Sequence, residues 1–241
     1  MLGLGSSLTK SGIVTPGIVT DNLVLKHNYN AASVVPISDG AAYFDGSSEY
    51  IDCGDDASLR TASFTVSAWV WFPVLDVYTG IVSSIDNADT NNRSGFSMTK
   101  KSNNEVEWRT GYTTDLQGST SNTKLEANRW YHVALTYDGS TQKGYIDGVL
   151  EDSDSYANYT VSTENFIIGA YYASAPTSLE MNGYISNVGY WSEVLTQAQI
   201  KSIMNKNYAG LSDSEKTNLV SWWNLSADAN DSHGSNNGTL T

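Results

Sequence analysis

The stretch AAYFDGSSEYIDCGDDASLRTASFTVSAWVWF, residues 41–72, decides the fold, because its second half alternates without a break. In SFTVSAWVWF (63–72) positions 64, 66, 68, 70 and 72 are apolar and share one face of an extended strand. The opposite face carries Trp69 and Trp71, which is unusual for a solvated surface. Residues 41–55 predict a β-hairpin whose turn is Asp45-Gly46-Ser47-Ser48.

Outward from this stretch, the sequence predicts short strands separated by turns. Strands are expected at 23–27, 80–85, 94–100, 105–110, 129–137, 164–171 and 183–191, with turns at 138–139 and 147–148. Short strands at regular spacing indicate a sandwich or a barrel. A helix is predicted where Thr196 and Gln199 can form a capping box, and a second helical turn is predicted at Ser212.

The composition excludes several classes of partner. Thirteen basic and 26 acidic residues give a net charge of −13, which argues against nucleic acid and against anionic membrane surfaces. The single cysteine, Cys53, cannot form an intrachain disulfide, and no segment has the ~18 apolar residues of a membrane span. Residues 1–20 predict an extended N-terminal arm without the features of a secretion signal, so we expect the chain to fold in a cytoplasm.

Three motifs in this order resemble the laminin-G-like (concanavalin A-like) jelly roll. They are the opening stretch 41–72, NRWYHVALTYDGSTQKGYIDG (128–148) and GYISNVGYWSEVLTQAQI (183–200). The resemblance covers roughly residues 21–208. It implies an all-β, two-sheet antiparallel sandwich with one or two short C-terminal helices, and it implies binding more often than catalysis.

The tail, residues 209–241, is too apolar to be free of contacts. Its segment TNLVSWWNL resembles the opening strand of the family, and four of its residues are candidates for a sheet or assembly contact: Leu219, Val220, Trp222 and Trp223. We expect the tail to pair in a sheet, either in its own chain or in a neighbouring copy. A third interpretation is that the tail begins a further domain that this chain lacks.

Aromatic residues suggest a glycan site, because sugar rings stack their C–H faces on Trp and Tyr. The candidates lie on predicted strands or rim loops: Trp71, Trp108, Tyr112, Tyr171 and Tyr172. An exposed aromatic side chain could equally be a protein contact. We interpret Trp69 and Trp130 as core residues, His132 as structural, and Cys53 as a small buried apolar side chain.

Metal binding and catalysis have weaker signals. The family often holds a calcium ion at the rim, for which Asp45 and Asp52 are the candidates here. Ser186 stands where the family usually has a carboxylate, so this site departs from the pattern. A glycosidase would need two facing carboxylates. The strand-spaced pair Glu105 and Glu107 is interpreted as lying on an exposed edge.

These observations predict a non-catalytic protein. The sequence also resembles laminin-G-like proteins of tailed marine bacteriophages. This resemblance implies a capsid-decoration or tail protein on a virion surface, exposed after host lysis. Glycan adhesion is the first expectation for such a protein. A purely structural decoration protein, docked to the virion scaffold or to copies of itself, is the alternative, and a glycosidase is a distant third.

Overall fold

A computed structural model describes residues 40–86, 94–112, 115–156, 159–171 and 179–241, and the side chains within these ranges except those of 112 and 115–117. By its internal contacts the chain divides into Met1–Pro36 and Ile37–Thr241. The predicted arm (1–20) and the predicted strand at 23–27 lie outside the described residues.

The described ranges contain fourteen strands, β1 to β14. In chain order they are Ala42–Asp45, Ile51–Asp52, Phe64–Trp71, Thr79–Asp86, Ser94–Lys100, Glu105–Tyr112, Asp115–Lys124, Trp130–Tyr137, Thr141–Ile146, Val149–Ser155, Ile167–Ile168, Asn182–Trp191, Leu219–Trp223 and Thr239–Leu240. The first sheet has the order β1-β12-β3-β8-β9-β10, with β13 also paired to β12. The second sheet has the order β14-β2-β11-β4-β5-β6-β7, and all pairings in both sheets are antiparallel. The all-β two-sheet sandwich is therefore confirmed.

The core between the sheets follows from strand alternation. The apolar positions 64, 66, 68 and 70 of strand β3 and Phe72 directly after it are buried, as predicted. On β8 the inward residues are the odd-numbered ones, including Val133 and Leu135, which pack in the same core. Because successive side chains point to opposite faces, the even-numbered residues of β8 and the odd-numbered residues of β3 share the outer face of the first sheet.

The predicted hairpin at 41–55 is wrong. Strand β1 pairs with β12 in the first sheet, whereas β2 pairs with β11 and β14 in the second sheet. The turn at 45–48 therefore carries the chain from one sheet to the other. Phe44 and Ile51 are buried in the same core from opposite layers, which a flat hairpin would not allow.

The capping box at Thr196 is confirmed. The Thr196 hydroxyl accepts from the Gln199 backbone N–H, the Gln199 side chain accepts from the Thr196 N–H, and helix α1 spans Gln197–Ile203. The helix places Ile200 and Ile203 in a second apolar cluster on the outer face of the first sheet. At Ser212 the chain forms a hydrogen-bonded turn with Glu215, and Tyr208–Gly210 forms a 3₁₀ turn.

The tail, residues 209–241, pairs and packs with the sandwich of its own chain. Strand β13 pairs with β12, and Trp222 and Trp223 are buried in the two apolar clusters. Leu219 is also buried and Val220 is half-buried. The prediction that these four residues are assembly contacts is therefore corrected. Their side chains pack within this chain, where the burial of apolar area stabilises the fold. Asp231 closes the tail by accepting backbone N–H groups from Trp222, His233, Gly234 and Asn236.

Candidate functional site

The outer face of the first sheet carries four aromatic residues in one line across four neighbouring strands. Each residue is directly opposite the next in the strand register, and we name the set the aromatic row: Tyr43, Tyr184, Trp71 and Trp130. Direct opposition brings Cβ atoms to about 4.5–5.5 Å, which is within reach of aromatic side chains. Residues of four distant sequence segments thus form one surface.

The aromatic row is exposed to solvent along its length. Tyr43 is 55 % exposed, Trp130 is 40 % and Tyr184 is 36 %, while Trp71 is half-buried between its neighbours. The ring centroids of Tyr43 and Tyr184 are 5.0 Å apart, and those of Tyr184 and Trp71 are 5.4 Å apart. Trp130 lies 6.4 Å from Tyr184. Large aromatic side chains exposed together are uncommon on a stable surface and indicate a contact site.

The aromatic row rests on a rigid base. The residues that alternate with it, such as Val70 and Ile185, are fully buried in the sandwich core. Beside the row, on the same outer face, Trp69 donates its indole N–H to the Met204 carbonyl at 2.9 Å and packs edge-on against His132. Burial lowers the pKa of His132 to about 3, so this imidazole is neutral at physiological pH. The interpretation of His132 as a structural residue agrees with this placement.

Polar groups flank the aromatic row at the Tyr43 end. At this end, Asp45 and Asn182 are opposite each other in the register and both are exposed. At the Trp130 end, Arg129 does not join the row: it pairs with Asp147 at 3.2 Å and lies over the ring of Tyr131, an inward residue of β8. Carboxylate and amide groups at the rim of an aromatic surface are partners that sugar hydroxyls need.

Of the five residues proposed from sequence, the structure brings one into this surface. Trp71 is a member of the aromatic row. Trp108 is fully buried against Gly144 of the facing sheet, so its proposed ligand contact is corrected to a core role. Tyr171 is 4 % exposed, and its hydroxyl is 3.4 Å from Arg109. Tyr172 and the side chain of Tyr112 lie outside the described residues.

Sequence reasoning missed Tyr43 and Tyr184 and wrongly interpreted Trp130 as core. Part of the signal was present, because the apolar residues Val133 and Leu135 are odd-numbered and Trp130 must face away from them. The alignment of the four residues could not be predicted from the sequence, since it depends on which strands are neighbours and in what register they pair.

The second sheet carries a polar cluster on its outer face. Glu107 is 7 % exposed, accepts from the Tyr78 hydroxyl and pairs with Arg109 at 3.0 Å. Burial and the hydrogen bond to Glu107 raise the pKa of Tyr78. The expectation that Glu107 lies on an exposed edge is wrong, because β6 is an internal strand between β5 and β7. Glu105 pairs instead with Lys101.

The calcium candidates are engaged in local contacts. Asp45 accepts the Ser47 backbone N–H, while Asp52 accepts the Gly54 N–H and the Asn165 amide. The Ser186 hydroxyl is 2.8 Å from the Gly40 carbonyl, at the position where the family usually has a carboxylate. Across the described residues, no three His, Cys, Asp or Glu side chains come close enough to hold a metal ion. Asp45 and Asp52 are thus held by local hydrogen bonds, and Ser186 supplies no carboxylate at the third position.

Asp52 also lines a polar cleft of about 600 Å³ on the second sheet. Asp55 and Asn236 are in its wall, but Asp55 pairs with Arg60, and Asn236 donates to Ser221. The described residues of this wall include no aromatic ring on which a sugar could stack. The aromatic row is therefore the better candidate site. Within the ranges that the structure describes, no helix is long and apolar enough to span a membrane.

Comparison with solved structures shows the same fold in carbohydrate-related proteins. A Bacteroides ovatus protein with the provisional description of a carbohydrate-binding protein is 21 % identical with a TM-score of 0.64; the match covers 82 % of this chain and 57 % of that one. This chain thus spans just over half of that protein. A search of the curated proteins found no match to the sequence.

Two further structures carry bound sugars. The CBM40 domain of the Ruminococcus gnavus IT-sialidase, bound to α2,3-sialyllactose, is 12 % identical with a TM-score of 0.56, covering 68 % of this chain and 96 % of that one. Domain 4 of the extracellular GH43 arabinanase from Geobacillus stearothermophilus, in complex with arabinotriose, is 20 % identical with a TM-score of 0.51, covering 68 % and 76 %. The family model of the concanavalin A-like lectin/glucanases superfamily, Laminin_G_3, matches residues 45–201, and this chain belongs to that family.

Proposed function

We propose that this chain is a non-catalytic glycan-binding module and that the aromatic row is its binding surface. The observation that carries the proposal is the exposure of aligned aromatic rings on a rigid sheet. Stacking of sugar C–H faces on aromatic rings needs exposed faces held in place, so that little side-chain entropy is lost on binding. The sugar complexes of similar folds agree with a binding role.

A glycosidase is not supported by the carboxylates that the sequence offered. Glu107 is held between Tyr78 and Arg109, and its neighbour Glu105 is paired with Lys101. A retaining or inverting mechanism needs two carboxyl groups that face each other across a substrate cleft. A pair bound up in structural contacts cannot take these roles without breaking them.

The setting that we propose is the surface of a virion, where the chain decorates a capsid or tail and is exposed after lysis. Its support is the resemblance to laminin-G-like proteins of tailed bacteriophages. A single buried cysteine also suits folding in a reducing cytoplasm. Mass spectrometry of purified virions checks this setting. A chain that is bound to the virion scaffold but has no affinity for any sugar would favour the purely structural alternative.

A glycan array tests the binding function. The wild-type chain is compared with the double variant Tyr43→Ala/Tyr184→Ala, which removes two exposed rings and leaves the core intact. Leu150→Ala is the matched control, because Leu150 is 43 % exposed on β10 and is not in the aromatic row. We expect binding by the wild type and the control, and a loss of more than about tenfold in the double variant. Equal binding by all three proteins would contradict the assignment of the row.

A further inference from the structure

The direction of the aromatic row restricts the shape of its ligand. Its four residues are paired directly across neighbouring strands, so the row runs perpendicular to the strands. The ring centroids of Tyr43 and Trp130 lie 5.0 Å and 6.4 Å from that of Tyr184, so the ring surface spans at most about 11 Å between its end centroids. This length accommodates roughly three pyranose rings in an extended chain. A glycan that curls into a helix would contact only part of it.

The inclination of the rings distinguishes a single chain from a packed polymer surface. Tyr43 and Tyr184 are inclined at 46°, and Tyr184 and Trp71 at 72°. Sheet twist rotates neighbouring strands by about 20–25°, which adds to the inclination along the row. Coplanar rings would suit the flat face of a crystalline polysaccharide. Inclined rings suit one soluble chain in which successive sugars can turn to meet them.

Local charge disfavours an anionic sugar. At the Tyr43 end, Asp45 is exposed, and the Glu49 carboxylate lies 3.2 Å from the Asp45 backbone N–H. At the Trp130 end, Arg129 is already paired with Asp147. The net charge of −13 adds a repulsive background for any acidic glycan. A carboxylate on the sugar would meet two protein carboxylates at the Tyr43 end.

The row begins at an edge of the sheet. Strand β1, which carries Tyr43, is the first strand of its sheet in the path that contains the row. A ligand can therefore continue past Tyr43 without meeting a further strand of this path. This arrangement suits an internal segment of a longer chain better than a terminal sugar.

We infer that the aromatic row binds a single, soluble, uncharged chain of extended β-linked pyranoses laid across the strands. The inference rests on the proposed glycan-binding function and adds the class and orientation of the ligand. Because three rings of sugar fill the row, affinity depends on chain length up to about that length and then levels.

Isothermal titration with defined oligosaccharides tests this inference. The probes are xylo-oligosaccharides and cello-oligosaccharides of two to six units, with 3′-sialyllactose and an oligogalacturonate as anionic probes. We expect affinity to rise from two to about three units and then to level, with the anionic probes about tenfold weaker. We expect little retention of the protein by crystalline cellulose.

Two variants at opposite ends of the row test the orientation. Tyr43→Ala and Trp130→Ala should each weaken binding of a neutral hexasaccharide about tenfold and reduce the dependence on chain length. The control Leu150→Ala should bind as the wild type does, and circular dichroism verifies that all three variants are folded. A ligand that lies along one strand would be affected by one end variant and not by the other, which would overturn the orientation.

The remaining outcomes separate this inference from the function on which it rests. Tighter binding of sialyllactose or oligogalacturonate that is lost in Tyr43→Ala would keep the glycan-binding function and overturn the neutral class. Failure of every probe and of the array, together with self-association of the wild type that Tyr43→Ala abolishes, would overturn both. The row would then be a contact between copies.

Discussion

Trp69 and Trp71 lie two residues apart on the same face of strand β3, yet they have different surroundings. Trp69 donates its indole N–H to Met204 and packs against His132 beneath the segment that follows helix α1. Trp71 belongs to the exposed aromatic row. Alternation along a strand decides which face a side chain occupies, but a segment more than 130 residues away decides whether that part of the face is covered.

Trp69 is covered and Trp71 is not because helix α1 and the segment after it reach over only part of the outer face. Helix α1 has seven residues, a length of about 10 Å, and its apolar residues pack over the end of the sheet that carries Trp191 and Trp222. The chain then turns at Met204 over Trp69. One end of the outer face thus became a second core, and the other end remained available for a ligand.

The largest expected effect on stability comes from a substitution at the covered end of the outer face of the first sheet. Trp191 is fully buried, packs edge-on against Trp222 and donates its indole N–H to the Glu215 carbonyl. We expect Trp191→Ala to reduce the free energy of unfolding by about 3–5 kcal/mol, because it leaves a large cavity and an unpaired carbonyl. Urea denaturation measures the change. A loss below 1 kcal/mol would mean that the second apolar cluster contributes little to folding.

A smaller effect is expected at the carboxylate of Glu215, which links helix α1 to the segment that follows it. Glu215 accepts from Lys206 at 2.5 Å, from the Ser202 hydroxyl and from the Ser212 backbone N–H. Burial opposes ionisation, but these hydrogen bonds outweigh it and lower the pKa of Glu215 from 4.5 to about 2. We expect Glu215→Gln to lower the free energy of unfolding by about 1–2 kcal/mol at neutral pH.

The pH dependence of that difference sharpens the prediction. A pKa that is depressed in the folded state contributes stability that is complete above the unfolded pKa and is lost as the pH falls through the folded one. The wild type should therefore lose its advantage over Glu215→Gln between pH 4.5 and about 2. Thermal melts of both proteins across this range measure it. A constant difference would show that the charge of Glu215 is not what stabilises the fold.

Trp69→Phe tests the boundary between the two ends. The substitution keeps an apolar ring but removes the indole N–H that bonds the Met204 carbonyl at 2.9 Å. We expect a loss of about 1 kcal/mol in stability with unchanged glycan affinity. Chemical denaturation and titration of the same sample check both. A large fall in affinity would mean that the covered end also positions the aromatic row.

The smallest expected effect on stability is at the open end. Tyr43 is 55 % exposed, and its main aromatic partner is Tyr184 across the strand pair. We expect Tyr43→Ala to cost about 0.5 kcal/mol in stability, which is typical of a cross-strand aromatic pair. A thermal melt gives the value. A cost comparable to that of Trp191→Ala would show that the row is part of the core and not a surface held ready for a ligand.

Much of the fold was predictable because its local patterns are strong. Strand β3 and the capping box of α1 follow from alternation and from Thr196 with Gln199. Strand β7 was missed because DLQGSTSNTK has no alternation of apolar residues that would mark a strand. The hairpin at 41–55 was wrong because a turn sequence specifies a change of direction and not the sheet that the next strand joins.

The site was less predictable than the fold. The interpretations of Trp108 and Trp130 were both reversed by the structure: Trp108 packs against Gly144, where a Cβ would lie 2.2 Å from its ring, and Trp130 faces solvent. Trp108 shares its face with Val106, and Trp130 alternates with Tyr131, so the local patterns held part of the answer. The identity of the packing partners was absent from the sequence.

The sequence by itself determined the all-β class, the two faces of β3, the start of α1 and the acidic charge, because each is a property of neighbouring residues or of composition. Only the tertiary structure decided that Tyr43, Tyr184, Trp71 and Trp130 stand in one row. Their strands come from segments up to about 140 residues apart, and their alignment requires the register of three separate strand pairs. Register is specified by the burial of the opposite face, which depends on the packing of the whole sandwich.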